Sequence, residues 1–392
     1  MGRVTKHKRL RIGLIFTGSS DWVGGLYYIH NIIKSLHGLP EEKKPYLLVI
    51  PDWKTPEDYI STHGYPFAEI FSLRKHTFVK RVFNKFYKTI TSKNIYYDWL
   101  TRKYDLQWLY PFHDFRPEMD SINSKKISWI YDFQHKLLPE LFAREELERR
   151  ENEFSLITSK SKRIVVSSYD SMDHLKRFYP NTKASVKVLQ FVSVVDRNKI
   201  TSHAVLRVKY KIDETYFIVS NQFWQHKNHM VILEALKIIK LNGHKINLIF
   251  TGKENDHRNS GYFQHLQKFV ADNDLSYMIK FLGFISREDQ LGLMMHSRAV
   301  IQPSKFEGWG TVVEDAKSLL KPVILSDINV HKEQMLDKGY YFAPDNAEEL
   351  AEIIQRFSDL NFIPVLPEDN HSERLSKFAE DFIQIFDFTE GK

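Results

Sequence analysis

Two acids, a glycine turn and a lysine are the residues of this chain best suited by type and spacing to chemistry. Glu307 opens the run Glu307-Gly308-Trp309-Gly310-Thr311, and Asp315 follows it eight positions later. An apolar stretch ending at Ser304 precedes the run, and Val312 to Leu320 and then Lys321-Pro322-Val323-Ile324 come after it. The pattern reads as strand, tight turn, helix and second strand. The turn would present the backbone N–H groups of Gly310 and Thr311 at a helix start, which makes an anion site. Glu307 would repel a phosphate, so its carboxylate suits a ligand that carries hydroxyls as well as phosphates. A nucleotide sugar is such a ligand. The plainer alternative is a helix with acids in its first turn, where the dipole favours them.

A second junction carries the cation. The strand-like Tyr216–Ser220 runs into Asn221-Gln222-Phe223-Trp224-Gln225-His226-Lys227-Asn228-His229, and an apolar-periodic helix follows. A lysine at such a junction can pair with a diphosphate, whereas a merely solvated lysine there would be opposed by the helix dipole. In the first half, Asp21-Trp22-Val23-Gly24-Gly25 joins strand one to helix one, and paired glycines permit a close backbone approach to a ligand. His135 follows the strand Ile127–Tyr131 and points toward a ligand-binding edge. Asp272-Asn273-Asp274 looks like a metal-binding Asp-x-Asp, but its place between an amphipathic helix and a strand makes it a turn.

The segment from Glu307 to Asp315 resembles the donor-site signature of the family-4, or group 1, retaining glycosyltransferases. That family pairs Glu-Gly-Phe-Gly with an acid eight positions after the first Glu; here Trp309 stands for Phe and Asp315 for the second Glu. The resemblance implies the GT-B fold, two doubly wound Rossmann-like domains facing across a cleft. It implies that Glu307 meets the donor sugar hydroxyls and Asp315 the ribose, while Gly308, Trp309, Gly310 and Thr311 form the donor turn. Lys227 would bind the diphosphate. The family usually carries Arg five residues before this Lys, where this chain has Gln222. His135 would lie beside the transferring sugar, Gly283 and Phe284 would line the base pocket, and Asp21, Trp22, Gly24 and Gly25 would contact acceptor. The donor would be a nucleotide-diphosphate sugar, with no cofactor and no essential metal.

Elements able to position these residues recur along the chain. Short apolar runs read as strands at Arg11–Phe16, Tyr46–Pro51, Leu106–Tyr110, Ile127–Tyr131, Arg163–Ser167 and Val186–Val192. Six more follow at Tyr216–Ser220, Ile246–Thr251, Ile279–Leu282, Ala299–Pro303, Val323–Ser326 and Tyr340–Phe342. Helical patterns at Leu26–His37, Pro139–Lys160, Tyr169–Phe178, Asn228–Asn242, Ser286–His296 and Glu348–Phe357 alternate with them. The pattern predicts an α/β chain with parallel sheets. Residues 1–198 form an N-terminal, acceptor-side domain and 199–371 a nucleotide-sugar-binding domain. The resemblance returns a last helix, within 372–392, to the first domain.

Composition narrows the class. The 392 residues contain no cysteine, which rules out disulfides and thiolate chemistry. Residues 1–199 hold 34 Lys and Arg against 22 Asp and Glu, and the remainder 22 against 27, so the basic half faces something anionic. Phe78 to Ile90 is a basic amphipathic run that could rest on an anionic membrane or equally on the core. No apolar run approaches the roughly 20 residues of a membrane span, so the expected location is cytoplasmic, with peripheral contact at the inner face of the cell membrane. A lipid-linked or glycan acceptor fits that placement. Three alternatives stay open: a sugar-nucleotide 2-epimerase on the same fold, a non-catalytic nucleotide-sugar binder, and a nucleic-acid binder suggested by the basic pI. No nucleic-acid-binding signature is present, so no nucleic-acid partner is expected.

Overall fold

The computed structural model describes residues 9–16, 23–51, 57–71, 95–119, 122–256, 258–359 and 361–387. Asp21, Trp22 and the basic run 78–90 lie outside the described residues. The chain groups into two compact units, one of Met1–Asp132, Glu148–Val192 and Ser372–Lys392, the other of Phe133–Leu147 and Ser193–His371.

In the first unit, β1 (Arg11–Phe16), β2 (Tyr46–Pro51), β3 (Ala68–Ile70), β4 (Trp108–Tyr110) and β5 (Lys125–Lys126) form a parallel sheet in the order β3-β2-β1-β4-β5. A second parallel sheet holds β6 (Ser128–Ile130), β7 (Arg163–Val166) and β8 (Ser185–Val188) in that order. Ile127, between β5 and β6, donates its N–H to the Leu109 carbonyl at 3.1 Å and carries the chain from one sheet to the other. The helix His371–Gln384 is followed by Ile385 and Phe386, and the Phe382 and Phe386 rings lie 5.8 and 6.2 Å from that of Tyr110.

The second unit is built on one six-stranded parallel sheet. Its strands are β9 (Phe217–Ser220), β10 (Leu248–Thr251), β11 (Ile279–Phe281), β12 (Val300–Gln302), β13 (Val323–Ser326) and β14 (Tyr340–Phe342), in the order β11-β10-β9-β12-β13-β14. Side chains alternate across it: Phe217 and Val219 join one core cluster and Tyr216 and Ile218 the other. Helices cover both faces, which is why the strands read as unbroken apolar runs rather than as alternating ones. The strand order reverses between β9 and β12. In an open parallel sheet ligands bind outside the carboxyl ends of the strands at such a point. The loops leaving β9 and β12 carry Lys227 and Glu307.

Several elements differ from the sequence reading. The first helix spans Val23–Ser35, so Gly24 and Gly25 sit within its first turn rather than in a loop. The run Pro139–Lys160 is broken: a 3-10 turn at Pro139–Leu141 precedes an extended Phe142, and the α-helix spans Arg144–Lys160. The strand expected over Val186–Val192 stops at Val188. The helices Ile95–Lys103, His203–Tyr210 and Asn329–Met335 and the strand Ala68–Ile70 were not legible in the pattern.

Candidate functional site

Two loops at the switch point are tied together by backbone and by one asparagine. After β9 the chain makes a 3-10 turn at Gln225–Lys227, and Asn228 takes a left-handed conformation (φ 56°) before the helix His229–Leu241 begins. Asparagine is one of the few residues that adopts this geometry readily. Its Nδ2 donates to the Pro303 carbonyl at 3.2 Å and the Pro344 carbonyl at 2.7 Å. The Lys305 N–H donates to the His226 carbonyl at 2.8 Å. The β9 loop is thereby pinned against the β12 loop, and Lys227 is brought to Glu307.

Glu307 is 9% exposed and its Oε1 collects three donors: Lys227 Nζ at 2.5 Å, Ser304 Oγ at 2.7 Å and Gln302 Nε2 at 2.8 Å. Among the described residues, no hydrogen bond reaches Oε2. Burial alone would raise the Glu307 carboxyl, but the Lys227 charge and the hydrogen bonds outweigh it and hold the group below the usual carboxylate range. Beneath the turn, the Ser326 hydroxyl donates to the Ser304 carbonyl. His331 donates from Nδ1 to the Ser326 carbonyl at 2.9 Å, and its burial lowers its pKa to about 4.

The glycine turn is held from behind. Gln334 accepts from the Gly310 N–H at 3.1 Å and donates to the Gly310 carbonyl and to Glu314 Oε1, each at 3.1 Å. This corrects one expectation, because the Gly310 N–H is engaged within the protein and is not presented to an anion. Thr311, the first residue of the helix Thr311–Ser318, keeps its place at the helix start. Gly308 is buried and Trp309 half-buried.

Asp315 is not gathered with Glu307. It has 0% exposure, and its carboxylate is gripped by the Arg287 guanidinium and by the Ser193 hydroxyl. Arg287, Gln302, Ser304 and Gln334 were all missed by sequence reasoning. Only Ser304 and Gln302, two and four residues before Phe306, were within reach of the motif.

The remaining residues lie on neighbouring loops of the same unit. Gln222 lies two residues beyond the end of β9 and is half-buried. Gly252, at the end of β10, has φ 148°, and a Cβ there would fall 2.0 Å from the Asn221 carbonyl oxygen. Its N–H donates to the Gly283 carbonyl at 2.9 Å, and the Phe223 N–H to the Lys253 carbonyl at 3.0 Å. Gly283 has φ 63°; Phe284 beside it is exposed, with Lys253 Nζ 5.6 Å from its ring centre. His135 is buried on the one-turn helix Gln134–Leu137, in the segment Phe133–Leu147 that groups with the second unit. Among the described residues no set of three or more His, Asp and Glu could hold a metal ion, and no helix is long and apolar enough to cross a membrane. Asp272 and Asp274 pair instead with Lys268 at 2.8 Å and Lys240 at 3.7 Å.

Comparison with known proteins points in one direction. Residues 204–381 match the family model described as "Glycosyl transferases group 1". The O-antigen chain mannosyltransferase RfbU of Salmonella typhimurium is 26% identical over 227 residues, 55% of this chain and 59% of that protein. The serotype-specific mannosyltransferase WbdA of Escherichia coli is 28% identical over 139 residues, 36% of this chain and 17% of that one. The chain thus matches less than two thirds of the length of either relative. Among solved structures, sucrose-phosphate synthase from Thermosynechococcus elongatus superposes with a TM-score of 0.65 at 16% identity, covering 96% of this chain and 98% of the other. HepE of Anabaena, solved in complex with UDP and glucose, gives 0.64 at 16% identity, covering 97% and 96%. These likenesses establish the GT-B fold.

Proposed function

We propose that this chain, whose residues 204–381 match the group 1 glycosyl transferase model, moves a sugar from a nucleotide-diphosphate donor to a glycan or lipid-linked acceptor with retention at the anomeric carbon. The curated relatives carry mannosyltransferase in their names, so mannose is the first sugar to try, and O-antigen or similar surface polysaccharide is the product class. The observation that carries the reading is the Lys227–Glu307 pair at the switch point, 2.5 Å apart.

Glu307 has three donors on one oxygen and a depressed basicity. Both features make it a poor nucleophile and a poor general base. They suit a carboxylate that accepts hydrogen bonds from sugar hydroxyls through Oε2. Lys227 has three donors on Nζ, so it can hold Glu307 and still meet a diphosphate oxygen. Charge that grows on the leaving diphosphate would be met by Lys227 and the N–H groups from Thr311 onward, which is electrostatic stabilisation by groups already in place. In this reading His135 lies beside the transferring sugar, Gly283 and Phe284 line the base pocket, and no metal ion is required.

The test is a melting-temperature panel of UDP, GDP, dTDP, CDP and ADP with their sugars, followed by an assay for nucleotide release. A ligand bound by the folded state alone raises the melting temperature. One base standing out, with acceptor-dependent release and an α-linked product from an α-linked donor, is the expected result. Release of a rearranged free sugar without acceptor would mark an epimerase instead. A flat panel would refute the donor site.

A further inference from the structure

The segment Phe133–Leu147 lies in sequence between two stretches of the first unit, yet it groups with the second. It carries His135 on the one-turn helix Gln134–Leu137, and the 3-10 turn Pro139–Leu141 follows. Its backbone bonds are local. The Lys136 N–H donates to the Phe133 carbonyl at 2.9 Å, the Leu138 N–H to the Gln134 carbonyl at 2.8 Å and the Phe142 N–H to the Pro139 carbonyl at 3.1 Å. Elements this short do not persist on their own, so packing must hold them.

That packing includes a contact on Phe142, which is buried. The Arg258 guanidinium carbon lies 5.0 Å from the Phe142 ring centre and 5.0 Å from that of Trp224. The Arg258 side chain keeps only 8% of its surface, and a cation–π contact strengthens as water is excluded. Asp256 holds the arginine in place: its Oδ1 lies 3.5 Å from Nε and accepts the Arg258 N–H at 3.0 Å. The same carboxylate accepts the Gln225 N–H at 3.4 Å, and Asn259 Nδ2 donates to Gln225 Oε1 at 3.1 Å. Trp224 and Gln225 open the turn whose last residue is Lys227. One side chain from the β10 loop thus bridges the loop of Lys227 and the segment of His135.

We propose that Arg258 is a positioning residue that clasps the His135 segment to the Lys227 loop. The inference rests on the donor-site reading given under Proposed function, in which Lys227 meets the diphosphate and His135 the transferring sugar. Arg258 acts through both and fixes the spacing between them. Nucleotide binding does not require that spacing, whereas alignment of the sugar does.

The experiment is hydrogen–deuterium exchange on the full chain, paired with donor kinetics. Arg258→Met keeps the apolar stem and removes the guanidinium. Exchange across residues 134–142 should quicken by about tenfold or more, as for loss of a desolvated cation–π contact, while the helix His229–Leu241 exchanges as before. Turnover should fall by about tenfold or more with donor KM unchanged within about twofold, because small misplacements cost rate rather than binding. Arg258→Lys, which returns a cation to the rings, should recover part of both. Phe142→Leu opens the clasp from the other side and leaves Asp256 its partner. It should reproduce both effects, and it carries the comparison should Arg258→Met fail to fold. Unchanged exchange across 134–142, or equal loss of nucleotide affinity and turnover, would overturn the proposal while leaving the donor site standing. A wild-type chain that turns over no nucleotide sugar would overturn the donor-site reading and the catalytic purpose of the clasp together, and the exchange result would still decide the contact.

Discussion

Lys227 Nζ lies 2.5 Å from Glu307 Oε1 although 80 residues separate them in sequence. The pair sits under little solvent, so neither charge is stable there alone. Lys227→Ala should cost about 3 kcal/mol at pH 8, the lower end for breaking a buried pair. The sign of the pH dependence follows from Glu307. In the wild type its carboxyl is held below its ordinary value of 4.5, so its contribution is present above that value and fades as pH falls through the lower folded value. Without Lys227, burial would raise the carboxyl, and the variant would lose stability as pH rises above 4.5. The gap in melting temperature between the two proteins should therefore widen from pH 5 to pH 8. A gap of constant size would contradict the coupling.

Glu307→Ala should leave a cooperatively folded chain by circular dichroism and reduce nucleotide release by about a hundredfold or more, as for the loss of one preorganised polar contact. Binding of the free nucleotide should change far less than turnover. Turnover close to wild type would remove Glu307 from the donor site.

If the proposed mechanism holds, treatment with EDTA should leave transfer largely intact, because Lys227 and the N–H groups from Thr311 onward would supply the positive field that a metal would otherwise provide. Activity that vanished with the chelator and returned with magnesium or manganese would count against this mechanism.

His229 offers a test of the fold under the site. It stacks on Phe223 with ring centres 4.6 Å apart, and among the described residues neither ring nitrogen finds a partner. Burial, and then the Lys227 charge, lower its pKa from 6.5 to about 3. A histidine kept neutral in this way stabilises fully above 6.5 and progressively less as pH falls toward 3. His229→Phe keeps the stack and removes two unsatisfied polar atoms, so it should raise the urea midpoint, and more at pH 5 than at pH 7.5. A variant equally sensitive to acid would point to other groups, His331 first.

Leu320 ends the helix Thr311–Ser318 in a left-handed conformation, φ 56°, with the Lys321 N–H on the Ala316 carbonyl at 2.9 Å. Glycine is the usual residue in this cap, and a side chain there costs about 1 kcal/mol. Leu320→Gly should raise the calorimetric melting temperature of its unit by about 2 °C. A fall would show that packing of the leucine outweighs its backbone strain.

The sequence made the sheets and the pair of loops visible, because twelve short apolar runs alternate with helical ones and the Glu307 turn has a fixed spacing. It did not show what holds those loops. Gln334 reaches Gly310 across 24 positions and Arg287 reaches Asp315 across 28, and neither helix start nor polar side chain announces its partner in advance. Gly24 and Gly25 misled for a local reason: glycine pairs signal turns, yet here they fit the first turn of a helix. The helix Asn329–Met335, only seven residues long, carries too little periodicity to be read, although it supplies both His331 and Gln334.

Gly252 has a practical consequence for anyone wishing to re-engineer this chain. A methyl group at that position would collide with the Asn221 carbonyl, and the same residue hydrogen-bonds to Gly283. The loops after β9, β10 and β11 thus form a single hydrogen-bonded ledge. A graft that swaps one of them from a relative should disorder the other two, whereas exchanging all three together should transplant cleanly.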